Sequence, residues 1–180
     1  GEPDLIVPMD AWLDFLGIFI SDGCISYHKD RGMETGELAI SSRKERKIAH
    51  INRTCQALGF AITHRMQDGV EAIHIVKSKY ALYAIIPLNV GAGAKYLPDY
   101  VWGVSRRQAM VLLDSLISCD GNNGANNRMI YYTSSKRLVD DIMRLALHCG
   151  LSANANLHRR AGHEQFIESF GYNVKHNYDS

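Results

Sequence analysis

Phe15-Leu16-Gly17-Ile18-Phe19-Ile20-Ser21-Asp22-Gly23 and Leu113-Asp114-Ser115-Leu116-Ile117-Ser118-Cys119-Asp120-Gly121 share one grammar: a mostly apolar run closed by Asp-Gly. A helix that is apolar nearly all round must be buried. Two of them in one chain bury most simply against each other. Small residues favour that packing. Gly17 and Ser21 are four apart, as are Ser115 and Cys119, so each pair lines one helix face and lets two backbones come close. If the helices cross there, Asp22 and Asp120 meet at the bottom of the interface. Two adjacent carboxylates repel, and each also faces the negative end of its helix dipole. A bound cation makes that placement favourable, and hard oxygen ligands suit Mg²⁺, with Mn²⁺ as a substitute.

Outward from these runs, the chain repeats itself. After the first Asp-Gly come a strand-like stretch, Ser41-Ser42-Arg43, a helical pattern and Leu58-Gly59-Phe60. After the second come Ile130-Tyr131-Tyr132-Thr133, Ser134-Ser135-Lys136, a helical pattern and Cys149-Gly150-Leu151. Ser105-x-x-Gln108 and Ser42-x-x-Glu45 fit the capping box, and Asp10 is a candidate cap for the first helix. Gly23 and Gly121 stand where a helix end wants a left-handed residue. Ile48, Ile51, Cys55 and Leu58, and Leu138, Ile142 and Leu145, recur at helical spacing and are predicted to be core. Strand-like alternation covers about 24–28, 37–41, 60–66, 70–76, 128–133 and 153–158. Ser78 is a candidate cap for a short helix from Lys79 to Ile85. Pro87, Gly91, Gly93, Pro98 and Gly103 mark a linker. The predicted organisation is a first half at 1–85, a linker at 86–104 and a second half at 105–180.

Bulk properties bound the reading without deciding it. The chain has 180 residues, 46% hydrophobic and 22% charged, with a net charge of +1. Most duplex-binding domains are more basic, so any case for DNA rests on local arrangement. No apolar run is long enough to span a membrane and no signal peptide is visible at the start, so an intracellular, soluble protein is expected. Cys24, Cys55, Cys119 and Cys149 are scattered, against a zinc site or a disulfide scaffold. A small-molecule α/β enzyme finds no support, since there is no phosphate-binding glycine loop, nucleophile elbow or histidine pair of metal-ligand spacing.

The two blocks, each with a small third residue, a small seventh, Asp at the eighth and Gly at the ninth, resemble the LAGLIDADG homing endonucleases in their two-motif, single-chain form. Lys95-Tyr96-Leu97-Pro98 resembles the Lys-x-Ile-Pro block of intein-encoded members, and Thr133 to Leu138, running on to His148-Cys149-Gly150-Leu151, resembles the block after their second motif. The resemblance covers about residues 10–158. It implies an α+β fold of two pseudo-symmetric halves, each a four-stranded antiparallel sheet backed by helices, forming a saddle over double-stranded DNA. It implies a monomer that cuts both strands with metal on Asp22 and Asp120, with Ser21 and Cys119 beside them as further candidate ligands. Lys95 would sit near one centre, and Lys175 is the candidate for its second-half counterpart. The candidate DNA surface carries Ser26, His28, Lys29, Arg31, His64, Arg65, His74 and Lys77, then Arg128, Asn154, Asn156, His158, Arg159 and Arg160. Asn154, Asn156 and His158 would alternate on one strand. The run Arg43-Lys44-Glu45-Arg46-Lys47 reads instead as a solvated helix face. The splicing residues of an intein are not evident, so splicing is not expected of this chain, although a splicing domain could accompany it in a precursor. The competing reading is a DNA- or RNA-binding module on the same scaffold with weak or no cleavage, such as a degenerate endonuclease, a maturase or a regulator.

Overall fold

A computed structural model describes residues 6–26, 37–67, 69–76, 84–124, 128–157, 164–167 and 172–175. The elements run α1 (Met9–Asp22), β1 (Gly23–Ser26), β2 (Glu37–Ser42), α2 (Glu45–Ala57), β3 (Ala61–Gln67), β4 (Val70–Val76), α3 (Arg106–Asp120), β5 (Gly121–Asn123), β6 (Met129–Tyr131), α4 (Lys136–His148), β7 (Glu164–Ile167) and β8 (Tyr172–Lys175). The fold is mixed α+β with antiparallel sheet, as expected. Strands β1 to β4 form one sheet in the order β1-β2-β4-β3, antiparallel throughout. In the second half the described ladders are β5–β6 and β7–β8. Residues 153–157, expected as a strand, have no regular structure and are exposed. Among the described residues no helix is long and apolar enough to cross a membrane.

Helix α1 is buried along Leu13 and Phe15 to Ser21, which an apolar segment inside a protein requires. It packs on α3, whose Ala109, Leu112, Leu113, Ser115, Leu116, Ile117 and Cys119 are buried. The small residues set the approach. A Cβ at Gly17 would lie 2.6 Å from Ser115 Cβ, so only glycine fits the crossing. The Ser115 hydroxyl donates to the Asp14 carbonyl at 2.6 Å, tying the two backbones together. Phe15 meets Phe60 edge-on at 5.3 Å, fixing the first sheet to the crossing.

Helix ends depart from expectation in instructive ways. Ser105 and Gln108 do form a capping box. Ser42 does not cap α2: the helix starts at Glu45, and the Ser42 hydroxyl accepts from the Lys44 amide at 3.1 Å. Asp10 lies inside the first turn of α1, after Pro8, and pairs with Arg107 at the start of α3. Gly23 and Gly121 are extended rather than left-handed, with φ −81° and −122°. Each helix runs straight into a strand, and space demands the glycine. A Cβ would lie 2.7 Å from the Phe19 carbonyl oxygen at Gly23 and 2.8 Å from that of Ile117 at Gly121. Left-handed glycines close α2 and α4 instead, at Gly59 (φ 69°) and Gly150 (φ 75°).

Residues 86–104 are packed against both halves. Leu88, Leu97 and Val101 are buried. Asn89 brackets the Ile25 backbone with two hydrogen bonds, at 3.0 and 3.3 Å. The Leu97 amide donates to Asp141 of α4 at 2.8 Å, and Arg137 and Arg144 of α4 stack on Tyr96 and Trp102. The expected helix from Lys79 to Ile85 lies largely outside the described residues.

Candidate active site at the foot of the helix pair

Asp22 and Asp120 end α1 and α3, so the Gly17–Ser115 crossing delivers both carboxylates to one place. One ammonium joins them: Lys47 Nζ lies 2.5 Å from Asp22 and 3.7 Å from Asp120, and its side chain is only 10% exposed. Lys47 corrects the reading of residues 43–47 as a solvated face. Arg43, Lys44, Glu45 and Arg46 are exposed, whereas Lys47 turns inward. The signal was its phase, since Lys47 stands four residues before Ile51 and eight before Cys55 on the buried stripe of α2. Ile48, taken in sequence as the start of that stripe, is only partly buried.

Lys95 approaches from the linker and donates to the Ser21 carbonyl at 2.7 Å. Burial holds its ammonium below the ordinary lysine range, while the charges of Asp120 and Asp22 pull the other way. The Asp120 carboxyl lies above its ordinary range because it is partly buried and because Asp22 is negative. Tyr131, a residue that the sequence reading left out, stands across the β5–β6 ladder from Gly121. Burial and the Asp120 charge drive its phenol upward. A tyrosine paired with the glycine that follows a motif acid is the signal that could have flagged it.

The donors here suit a hard cation. Two carboxylates converge, and the Ser21 hydroxyl is buried beside them next to the Tyr131 phenol. Among the described residues no cluster of three or more His, Cys, Asp or Glu side chains that could hold a metal forms. Cys119 is buried, and its thiol is pushed up to about 12 by burial and the Asp22 charge. Sulfur is in any case a poor match for a hard cation such as Mg²⁺.

The expected DNA surface divides. In the first sheet the register sets Ala39, His74 and Thr63 in one row and Ser41, Ala72 and Arg65 in the next, on the face opposite Ile40, Ile73 and Ile75. Arg65 and His74 therefore share the outer face. His64 does not, because its alternation places it with Ile73, and its ring donates to Glu71 at 2.5 Å. Arg128, Asn154 and Asn156 are exposed, the two asparagines on irregular backbone. Ser26 and Lys175 enter only through their strands. His28, Lys29, Arg31, Lys77, His158, Arg159 and Arg160 lie outside the described residues.

A second polar cluster lies on the other side of Lys47. Asp14 accepts hydrogen bonds from the His50 ring at 2.7 Å and the Thr54 hydroxyl at 2.5 Å. Burial opposes its charge, but these bonds hold its carboxyl below the ordinary range.

No family model matches the chain. Among solved structures, the chain is similar in fold to a variant of I-DmoI in complex with its target DNA in the presence of magnesium. The TM-score is 0.63 at 18% identity, covering 84% of this chain and 83% of that one. I-DmoI in complex with DNA and calcium gives a TM-score of 0.60 at 15% identity, covering 84% and 78%. The homing endonuclease I-WcaI bound to its DNA recognition sequence gives 0.51 at 14%, covering 78% and 67%. The chain thus has the fold of the LAGLIDADG homing endonucleases. By sequence, it is 30% identical over 166 residues to an ATP-dependent Clp protease proteolytic subunit of Chlamydomonas moewusii, and 28% identical over 198 residues to a DNA-directed RNA polymerase subunit beta C-terminal section of Stigeoclonium helveticum. These matches take in 87% and 89% of this chain but 16% and 18% of those proteins, so the chain spans less than a fifth of their length.

Proposed function

We propose that this chain is a site-specific endonuclease that hydrolyses both strands of a long double-stranded DNA target, with divalent metal held by Asp22 and Asp120. One observation carries the reading: two buried helices cross through small residues and bring two acids to one point, where burial and the Asp22 charge hold Asp120 above its ordinary range even with Lys47 beside it. Repulsion that folding does not need is expected where a site is built for a cation. Mg²⁺ on these carboxylates would supply Lewis-acid charge at a phosphodiester. The protein supplies the rest. Lys47 and Lys95 offset phosphate charge, and Lys95 is placed to orient and polarise the attacking water. The outer face of the first sheet, with Ser41, Thr63, Arg65 and His74, would enter the major groove, and Arg128, Asn154 and Asn156 would contact DNA from the second half. The DNA complexes of I-DmoI and I-WcaI support this placement by shared fold.

Both acids come from one chain, so we read the active unit as a monomer. The sequence relatives support a further point. One module of this size recurs inside two proteins whose names have nothing in common, as a small part of each. That distribution fits an insert carried by different hosts, as an intein-borne endonuclease is.

The test is to challenge the purified chain with a pool of long randomised duplexes in Mg²⁺ and sequence the ends. One recurrent target cut on both strands is the expected result. Enrichment by binding with no cuts, in Mg²⁺ and again in Mn²⁺, would contradict it and leave a binding module.

A further inference from the structure

We infer that Lys47 is the protein's own counter-ion for the Asp22–Asp120 pair and competes with the divalent cation for it, an inference that rests on the metal-site reading above. Its ammonium reaches both carboxylates, and its side chain is almost wholly buried. A charge withdrawn from water in this way needs opposite charge at hand, and the pair provides two. A second cation at the same carboxylates would meet a like charge at contact distance. Like charges held that close repel strongly even in a partly screened site. Cation and lysine therefore exclude one another from Asp22, and entry of the ion releases the ammonium to face the negative phosphate.

The device belongs to one half only. Helices α2 and α4 close on matching residues, Leu58-Gly59 and Cys149-Gly150, each with the following amide donating five residues back, Phe60 to Cys55 and Leu151 to Ala146, both at 2.9 Å. Their starts match too, with Ser42 accepting from Lys44 and Thr133 from Ser135, both at 3.1 Å. In that register Lys47 falls on Leu138, which is fully buried. The second half fills with an isobutyl group the position where the first half holds an ammonium.

The experiment is calorimetric titration of Ca²⁺ into the DNA-free protein, with thermal unfolding of each variant in chelator. Lys47→Met is expected to melt lower without metal and to bind Ca²⁺ on the order of tenfold tighter than wild type, or more. Lys47→Arg, which keeps the charge, should stay near wild type. Lys47→Gln should follow Lys47→Met and is read in its place if the methionine variant does not fold. Unchanged or weaker Ca²⁺ binding by the neutral variants would overturn the inference, as would equal tightening by Lys47→Arg. Asp22→Asn separates the two failures. If it abolishes Ca²⁺ binding while the Lys47 variants behave as wild type, the metal site stands and only the counter-ion role falls. If it binds Ca²⁺ as wild type does, the metal site falls and takes this inference with it.

Discussion

Asp120 shows most plainly how single residues divide between folding and function. Its carboxyl is raised above the ordinary 3.8 by burial first and by Asp22 second. The sign follows from proton linkage. A carboxyl raised in the folded state binds its proton more tightly there than in the unfolded chain. Its contribution favours folding below the unfolded value and is lost as pH rises through the folded one, so at neutral pH the ionised group opposes folding. Asp120→Asn should therefore raise Tm at pH 7 in thermal unfolding scans. The gain should vanish in scans near pH 3. Asp14 behaves oppositely. Its lowered carboxyl stabilises the fold at neutral pH, and that contribution is lost as pH falls through its folded value. A lower Tm for Asp120→Asn at pH 7 would mean that pairing with Lys47 outweighs burial.

At the scale of elements, the ends of α2 and α4 offer a controlled pair. Gly59 and Gly150 share a left-handed conformation, but a Cβ at Gly59 meets open space, whereas one at Gly150 lies 2.5 Å from the Arg106 guanidinium. Arg106 also donates to the Cys149 carbonyl at 2.8 Å, so moving it breaks a bond between α3 and α4. Gly59→Ala should cost about 1 kcal/mol from backbone strain alone, and Gly150→Ala measurably more, by denaturant titration. Equal losses would show that Arg106 yields freely.

The same scale shows what could be read in advance. Four helices and most strands were legible because apolar periodicity reports burial directly. The meeting of the two Asp-Gly ends was legible because a repeated small-x-x-x-small run has one economical packing, whereas Lys95 entered only through the resemblance carried by Lys95-Tyr96-Leu97-Pro98. Lys47 was not, because a charged residue is taken for solvent unless its phase against Ile51 and Cys55 is weighed first. His64 was misplaced because alternation along β3 sets it opposite Arg65, and composition alone ignores faces. Gly23 and Gly121 were read as helix stops needing positive φ, when the constraint was contact with Phe19 and Ile117. Nothing local separates those cases, since the clash comes from the helix the glycine leaves.

Over the whole molecule, the duplication is imperfect where it matters most. The ends of α2 and α4 match, yet Leu138 stands in α4 at the position that Lys47 holds in α2, and Lys95 comes from residues 86–104 between the two helix pairs. Two strands of a duplex would meet unequal surroundings at a site so built. On a supercoiled plasmid carrying the target, nicked circles should accumulate before linear product. Direct conversion to linear DNA, with no nicked species, would argue that both centres act alike.

Cleavage of one selected target by wild type, Asp22→Asn and Asp120→Asn in Mg²⁺, with duplex affinity measured alongside in Ca²⁺, tests the central claim most directly. The account predicts that either substitution abolishes double-strand cleavage while duplex affinity stays within a fewfold of wild type. Cutting of both strands at the wild-type rate by either variant would contradict it.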